Sequence, residues 1–276
     1  LGLFEEPKQL GLIAWTGKKQ LLAIRTDEMT VTKGGFMSIL PLGGKPTGFG
    51  VKAGKNTMWN KAENVFIEAF KTAGVVKTGA SDLGLVLEKK IGAHEIFVWK
   101  IDSFNDFVEK IQHHINVRYK GKVVPLIPND LKRIMESYVK NGYEYFAFDL
   151  VPETGEKVTK QTILYQFETP KHEMFYPLVI SQSGGKGTTE IDLLIVSDKE
   201  TLTFGDDTVK TMISGQFKNK YEKYAKAKLT HEQVVSIDPD LNAMFKAGDH
   251  LYARWYITKA KTDIRSFKAD FRLKVK

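Results

Sequence analysis

Cysteine is absent from the 276 residues. Its absence excludes disulfides, thiolate metal sites and cysteine nucleophiles together. Long apolar runs are missing too, since no stretch approaches the eighteen or so apolar residues a membrane helix needs. Histidine is scarce, and none of His94, His113, His114, His172, His231 and His250 pairs at i, i+4 around a Glu as zinc proteases require. Adjacent on a helix, His113 and His114 would point apart. His172-Glu173 and His231-Glu232 put a carboxylate beside an imidazole, but sequence neighbours rarely chelate one ion. Arginine is sparse beside lysine, so the formal charge of +8 lacks the residue that base readout favours, and no specific nucleic-acid partner is expected.

Familiar motifs fail on inspection. There is no Gly-x-Ser-x-Gly elbow. Gly184-Gly185-Lys186-Gly187-Thr188 resembles a phosphate loop, but Ile180 stands where the first glycine belongs and Gly187 where Ser or Thr should follow the lysine. Asp238-Pro239-Asp240-Leu241-Asn242 has calcium-loop spacing, yet Ala243 replaces the turn glycine and Asp249 the closing Glu. A helix cap at Asp238 is the simpler reading. Neither a metal nor a cofactor is expected.

What is present is a strong fold signal from Leu83 to Leu150. Leu83, Leu85 and Leu87 alternate with period two, and a turn follows at Ile91-Gly92. The next strand, His94 to Ile101, carries apolar residues on both alternating sets and so predicts burial of both faces. Phe104, Phe107, Val108 and Ile111 form one helical stripe, and Leu131, Ile134, Met135, Tyr138 and Val139 a second. Asn141-Gly142 closes that second helix, and a strand from Tyr143 to Leu150 comes next.

Before this unit, Gln9 to Trp15 and Gln20 to Thr26 predict an opening hairpin, and Phe36 to Leu42 a third strand. The glycine-rich segment Gly43 to Lys55 reads as a contact loop. Asn56 starts a helix bearing Trp59, Ala62, Val65, Phe66, Ala69 and Phe70, with Gly74 at its end. After it, the polar Val151 to Lys157 is a hairpin loop or a boundary between a unit at 1–150 and another at 151–276, packed as one body. Val158 to Glu168, Met174 to Gln182 and Thr189 to Ser197 predict an antiparallel meander with a flexible tip at Ser183 to Thr188. A basic amphipathic helix spans roughly Asp207 to Lys228, helical pieces run to Lys246, and strands at His250 to Ile257 and Phe267 to Val275 close the chain. Clustered strands and helices without steady alternation predict an α+β fold with antiparallel sheets and packed helices.

Candidate contact loops are Gly43, Gly44 and Lys45, and Gly184, Gly185 and Lys186, because loops on rigid scaffolds usually carry function. A candidate anion patch is Lys218, Lys220, Lys223, Lys226 and Lys228, although Phe217, Tyr221 and Tyr224 share a stripe that makes those lysines a solvated helix face. Carboxylates for hydrolysis of a glycan or peptide could come from Glu153, Glu156, Glu168, Asp192, Asp206 and Asp207, should the fold assemble two of them. The aromatics Tyr143, Tyr145, Phe146 and Phe148, with Trp255 and Tyr256, read as strand packing or as the lining of a groove. Catalytic residues are not identifiable from the sequence, and the reading leans towards binding or structural support.

Several motifs, in order, carry a resemblance. They are Gln9 to Trp15 (Q-x-x-L-I-x-W), Val86-Leu87-Glu88 through Gly92 to Phe97-Val98, Tyr138-Val139-Lys140-Asn141-Gly142-Tyr143-Glu144-Tyr145-Phe146, Tyr176-Pro177-Leu178-Val179-Ile180 and Tyr252-Ala253-Arg254-Trp255. The chain resembles a prokaryotic family of secreted or membrane-tethered proteins known only as a domain of unknown function. It departs from that pattern at Pro41-Leu42, where the family ends a strand in Pro-x-Pro, and at Ala253, where a Thr precedes the late Arg. The resemblance implies an extracytoplasmic address, a signal removed before residue 1, a membrane anchor beyond Lys276 and an envelope protein or polymer as partner. It implies no activity.

Overall fold

The structure is a computed structural model, described over residues 8–25, 29–30, 36–72, 88–101, 104–119, 127–151, 157–158, 161–184, 187–207, 209–210, 226–258 and 262–275. In chain order the first half gives β1 (Lys8–Trp15), β2 (Lys19–Arg25), β3 (Met29–Thr30), β4 (Phe36–Leu42), β5 (Pro46–Gly54) and helix α1 (Met58–Thr72). Then come β6 (Glu88–Ile91), β7 (His94–Lys100), α2 (Phe104–Tyr119), α3 (Asn129–Lys140) and β8 (Tyr145–Val151). The second half holds β9 (Lys157–Val158), β10 (Thr162–Glu168), β11 (Glu173–Tyr176), a 3-10 turn (Val179–Gly184), β12 (Thr188–Ser197) and β13 (Leu202–Phe204). It ends with β14 (Ala227–Leu229), α4 (His231–Ile237), α5 (Pro239–Asn242), β15 (Leu251–Ile257), β16 (Thr262–Asp263), a second 3-10 turn (Ile264–Ser266) and β17 (Phe271–Val275). This is the α+β class that the clustered patterns predict.

Four layers result. The main sheet runs β14-β15-β12-β1-β2-β10-β5, with β16 paired to β12. Its strands are apolar on both faces because both are buried. Leu12 and Ala14 of β1 pack with Met58, Trp59, Ala62 and Phe66 of α1 and with Val234 and Leu241 of α4 and α5. Ile13 and Trp15 face the opposite way, into a core shared with Ile96, Val98 and Ala147 of a second sheet, β4-β8-β7-β6. A third sheet, β11-β17-β13, adds Met174, Phe271 and Leu273 to that core. The doubly apolar reading of β7 holds: Phe97, Phe146 and Phe148 turn outward from the second sheet and meet Phe107, Ile111, Leu131, Met135 and Tyr138 of α2 and α3. Each large side chain buried this way stabilises the fold by about 1.5–3 kcal/mol.

The end of α3 follows the sequence signal closely. Gly142 adopts a left-handed φ of 79°. Its N–H donates to Val139 O at 2.8 Å, and the Tyr143 N–H donates to Tyr138 O at 3.0 Å. The Tyr138 and Tyr143 rings then meet edge to face at 5.8 Å, the apolar contact that accompanies this type of helix stop. Asp238 likewise caps α5, its side chain accepting from Asp240 N at 2.8 Å.

Several sequence expectations are corrected. The three central strands do not form a meander. β10 lies between β2 and β5, β11 pairs β17, and β12 lies parallel to β1 and antiparallel to β15. The strand expected through Gln182 stops at Tyr176, because Pro177 has no N–H and the next two N–H groups turn to the Asp270 carboxylate. Gly43 to Lys55 is mostly strand β5, not a loop. Its glycines permit close approach: a Cβ on Gly48, where φ is +56°, would lie 2.3 Å from Gln166 Oε1 of β10. The basic helix expected from Asp207 to Lys228 falls mostly outside the described residues, and its expected end is instead a strand, since Ala227–Leu229 pairs with β15. Leu83 to Leu87, Gly185, Lys186, Lys218, Lys220, Lys223, Glu153 and Glu156 lie outside the described residues.

Candidate functional site

At one end of the main sheet, three turns from distant parts of the chain are bonded through their main chains. The β1–β2 turn closes with Thr16 N donating to Lys19 O at 3.0 Å. Thr169 N then donates to Lys18 O at 2.7 Å, and Glu168 N to Lys45 O at 2.7 Å. The segment after β10 thereby grips the β1–β2 and β4–β5 turns together. His172 holds a left-handed φ of 52°, unusual for a residue with a side chain, and its Nδ1 lies 2.9 Å from Gly17 O, which makes Nδ1 the donor. Trp15 Nε1 donates to Thr169 Oγ1 at 3.2 Å beneath. Gly44 must be glycine, because a Cβ there would lie 2.6 Å from both Glu168 O and Pro170 Cδ.

This platform is basic. Lys18 and Lys171 are exposed and Lys45 partly so, and neither Lys18 nor Lys45 has a carboxylate partner among the described residues. Lys199 reaches the same place, its Cε 2.8 Å from where a Gly17 Cβ would stand, and it pairs with Asp198 at 2.7 Å. Burial lifts the Asp198 carboxyl above its ordinary range, while the Lys199 ammonium pulls it back. Lys171 donates to Asn141 O and sits 4.0 Å over the Tyr143 ring. Partial burial holds its ammonium below the usual lysine range, against the raising effect of Glu173.

Of the predicted contact loops, Gly43, Gly44 and Lys45 belong to this platform. Gly184 does not, because it ends the 3-10 turn whose Ser181 accepts from Gln9 Nε2 at the opposite end of β1. Gln9 and Trp15 are about 20 Å apart at the usual rise per strand residue, so the two loops do not form one surface. In the lysine patch, Lys226 pairs with Glu200 at 2.8 Å and Lys228 lies on β14.

Of the candidate carboxylates, the described ones take separate partners. Asp192 Oδ1 accepts from Trp255 Nε1 at 2.6 Å, Asp206 Oδ1 accepts from Val209 N at 3.4 Å, and Asp207 pairs with Lys210 at 3.3 Å. Glu168 lies at the platform, where its N–H donates to Lys45 O. The aromatics are packing: Tyr143 stacks on Phe175 at 4.6 Å, and Tyr256 meets Phe271 at 5.1 Å. Among the described residues no three of His, Asp and Glu converge to hold a metal ion.

Three buried polar arrangements were not visible in the sequence. His94, 1% exposed, places Nδ1 2.9 and 2.8 Å from the two Asp149 oxygens inside the sandwich. Asp270 Oδ1 accepts from Tyr138 Oη at 2.6 Å, Leu178 N at 2.9 Å and Val179 N at 3.0 Å. Arg254 donates through one Nη to Lys199 O at 2.8 Å and Glu200 O at 2.6 Å, clamping the segment that carries Lys199. Alternation along β7 marks His94 as inward-facing, but nothing local pairs it with a residue on β8.

No family model matches the chain and no curated protein matches it, which agrees with the resemblance to an uncharacterised family. Among solved structures it is similar to a mutated baculovirus P35 after caspase cleavage. One such structure shows 11% identity over 80% of this chain and 75% of that chain, with a TM-score of 0.44. Another shows 10% identity over 94% and 97%, with a TM-score of 0.46. The caspase-8/P35 complex gives 10% identity over 98% of this chain and 91% of that chain, with a TM-score of 0.40. At these scores the likeness carries no argument about what this chain binds.

Proposed function

We propose that the chain is a binding module, and that the basic turn platform is its contact surface for a protein partner rich in carboxylates. One observation carries this reading. Turns from three distant parts of the chain are fixed to one another by main-chain hydrogen bonds, yet they present Lys18 and Lys45 without carboxylate partners among the described residues. Fixing the backbone in advance lowers the ordering cost of association. Exposed ammonium groups steer an acidic partner and make association sensitive to salt. The extracytoplasmic address and an envelope protein as that partner are part of this proposal, supported by the motif resemblance and checked by fractionating cells that express the full-length protein.

The test is crosslinking in the native source extract, comparing wild type with Lys18→Glu/Lys45→Glu. A control, Lys61→Glu/Lys140→Glu, reverses charge on α1 and α3 instead. The expected result is one crosslinked species that the control keeps and the platform variant loses. It should also weaken as salt rises towards 0.5 M. Equal recovery by both variants would remove the platform from the argument. Release of sugar or peptide from glycan and peptide panels by the purified chain would favour a hydrolase instead.

A further inference from the structure

Asn-Gly occurs once in the chain, at Asn141-Gly142, where α3 stops. The pair matters chemically because an asparagine side chain can be attacked by the main-chain nitrogen of the next residue, and glycine has no Cβ to hinder the approach. Both residues are exposed. Two hydrogen bonds restrain the reacting atoms. Asn141 Nδ2 donates to Ser137 O at 2.7 Å, and the Gly142 N–H donates to Val139 O at 2.8 Å. A third bond works in the opposite sense. The Lys171 ammonium donates to Asn141 O, the carbonyl of the very peptide unit whose nitrogen would attack. A cation on that oxygen draws electrons from the peptide unit and makes the Gly142 N–H easier to deprotonate. Tertiary structure puts it there: Lys171 lies 30 positions further along the chain and sits 4.0 Å over the Tyr143 ring.

We infer that Asn141 is a site of self-modification by deamidation, with Lys171 as the promoting group and the last turn of α3 as the guard. In the closed turn Asn141 has φ −89° and ψ 9°, and the attacking nitrogen is engaged with Val139 O. Reaction therefore requires the turn to open, and exposed helix ends open at little cost. Lys171 belongs to another segment, and its long side chain can follow the Asn141 carbonyl. The Gly142 nitrogen gives its proton to solvent and attacks Asn141 Cγ. The new N–Cγ bond closes a five-membered succinimide, the Cγ–Nδ2 bond breaks, and Nδ2 takes up a proton and leaves as ammonia. Water then adds to one of the two ring carbonyls. Opening at Cγ gives aspartate, and opening at the main-chain carbonyl gives isoaspartate, whose chain runs through Cβ and Cγ. One water is consumed, one ammonia is released, and one negative charge appears beside Lys171. The inference does not depend on the platform, although the new carboxylate would offset the charge that Lys171 brings to it.

The experiment holds the full chain for several weeks at about 37 °C and about pH 7.5, both folded and in guanidinium. Peptide mapping by mass spectrometry then reads aspartate and isoaspartate at each asparagine. Lys171→Gln and Lys171→Arg are run beside wild type. Lys171 is exposed, so both variants should melt close to wild type. The expected result is that folded wild type converts Asn141 ahead of its other asparagines. Lys171→Gln should slow that conversion at least about threefold, because it loses a charge-assisted bond, and Lys171→Arg should keep most of the wild-type rate. In guanidinium all three should react alike, since residue 171 no longer reaches Asn141. An Asn141 that stays intact in the folded chain yet reacts in guanidinium would overturn the inference, because the guard would then stay shut. So would a Lys171→Gln rate equal to or above wild type, because Lys171 would then brace the turn instead of promoting the attack.

Discussion

Asp270 provides a quantitative test of how the sheets and helices are joined. It is 4% exposed, and one of its oxygens receives the Tyr138 hydroxyl from α3 and the N–H groups of Leu178 and Val179. Asp270→Ala would strand these donors in or near the core. At about 1–3 kcal/mol for each buried donor left unmade, and with Val179 only partly buried, the expected loss is about 3–5 kcal/mol. Asp270→Asn keeps an acceptor oxygen in the same place and should cost about 1 kcal/mol. Tyr138→Phe, which removes a single donor, should fall near that smaller value. Burial raises the Asp270 carboxyl above its ordinary range, and its hydrogen bonds with Tyr138, Val179 and Leu178 only partly oppose this. A raised folded value means that the stability from its protonated form is full at acid pH and lost as pH climbs through that value. Asparagine has no such loss, so Asp270→Asn should gain on wild type between pH 4 and pH 8. Urea unfolding of the four proteins across that range is the assay. The reasoning is refuted if asparagine is as damaging as alanine, or if wild type gains on Asp270→Asn as pH rises.

Two further outcomes follow from buried polar groups and strand order. His94→Ala would leave the Asp149 carboxylate, 4% exposed, without its imidazole, at an expected cost of about 3–5 kcal/mol. Replacing both residues with leucine should cost much less than the two single changes added, as denaturant titration of the double-mutant cycle would show. A peptide of residues 1–151 should not fold alone, because β1 would lose β12 and β2 would lose β10, both along their full lengths. Circular dichroism showing a cooperative melt for that fragment would instead establish 1–150 as an independent unit.

Much of the architecture was legible because it is local. The stripe on α3 and the stop at Asn141-Gly142 depend on neighbours a few residues apart. The two alternating apolar sets of β7 announced burial on both faces, and Phe97 and Val98 do enter different cores. Strand order was not legible, because β10 finds β2 and β5 rather than its sequence neighbours, and nothing local encodes that choice. The glycines of the Gly43 to Lys55 segment misled for a related reason. Gly44 and Gly48 are there because Glu168, Pro170 and Gln166 press against them from more than a hundred residues away. Half the platform could be read, as Gly43, Gly44 and Lys45. Its other half could not, because the acceptors that hold it are backbone carbonyls of Gly17, Lys18 and Lys45, and a carbonyl has no sequence signature.

The layering itself restricts where contacts with other molecules can form. α1, α4 and α5 cover one face of the main sheet, while the second and third sheets cover the other. α2 and α3 then close the outer face of the second sheet. A scaffold whose sheet faces are this fully occupied offers a partner the ends of its strands and their edges. Strand ends are where the platform forms, because turns meeting there can be tied through the backbone while their lysines stay in water. Edges are a liability unless charged, twisted or short. On β5, Lys52 and the left-handed Gly48 and Gly50 supply that protection.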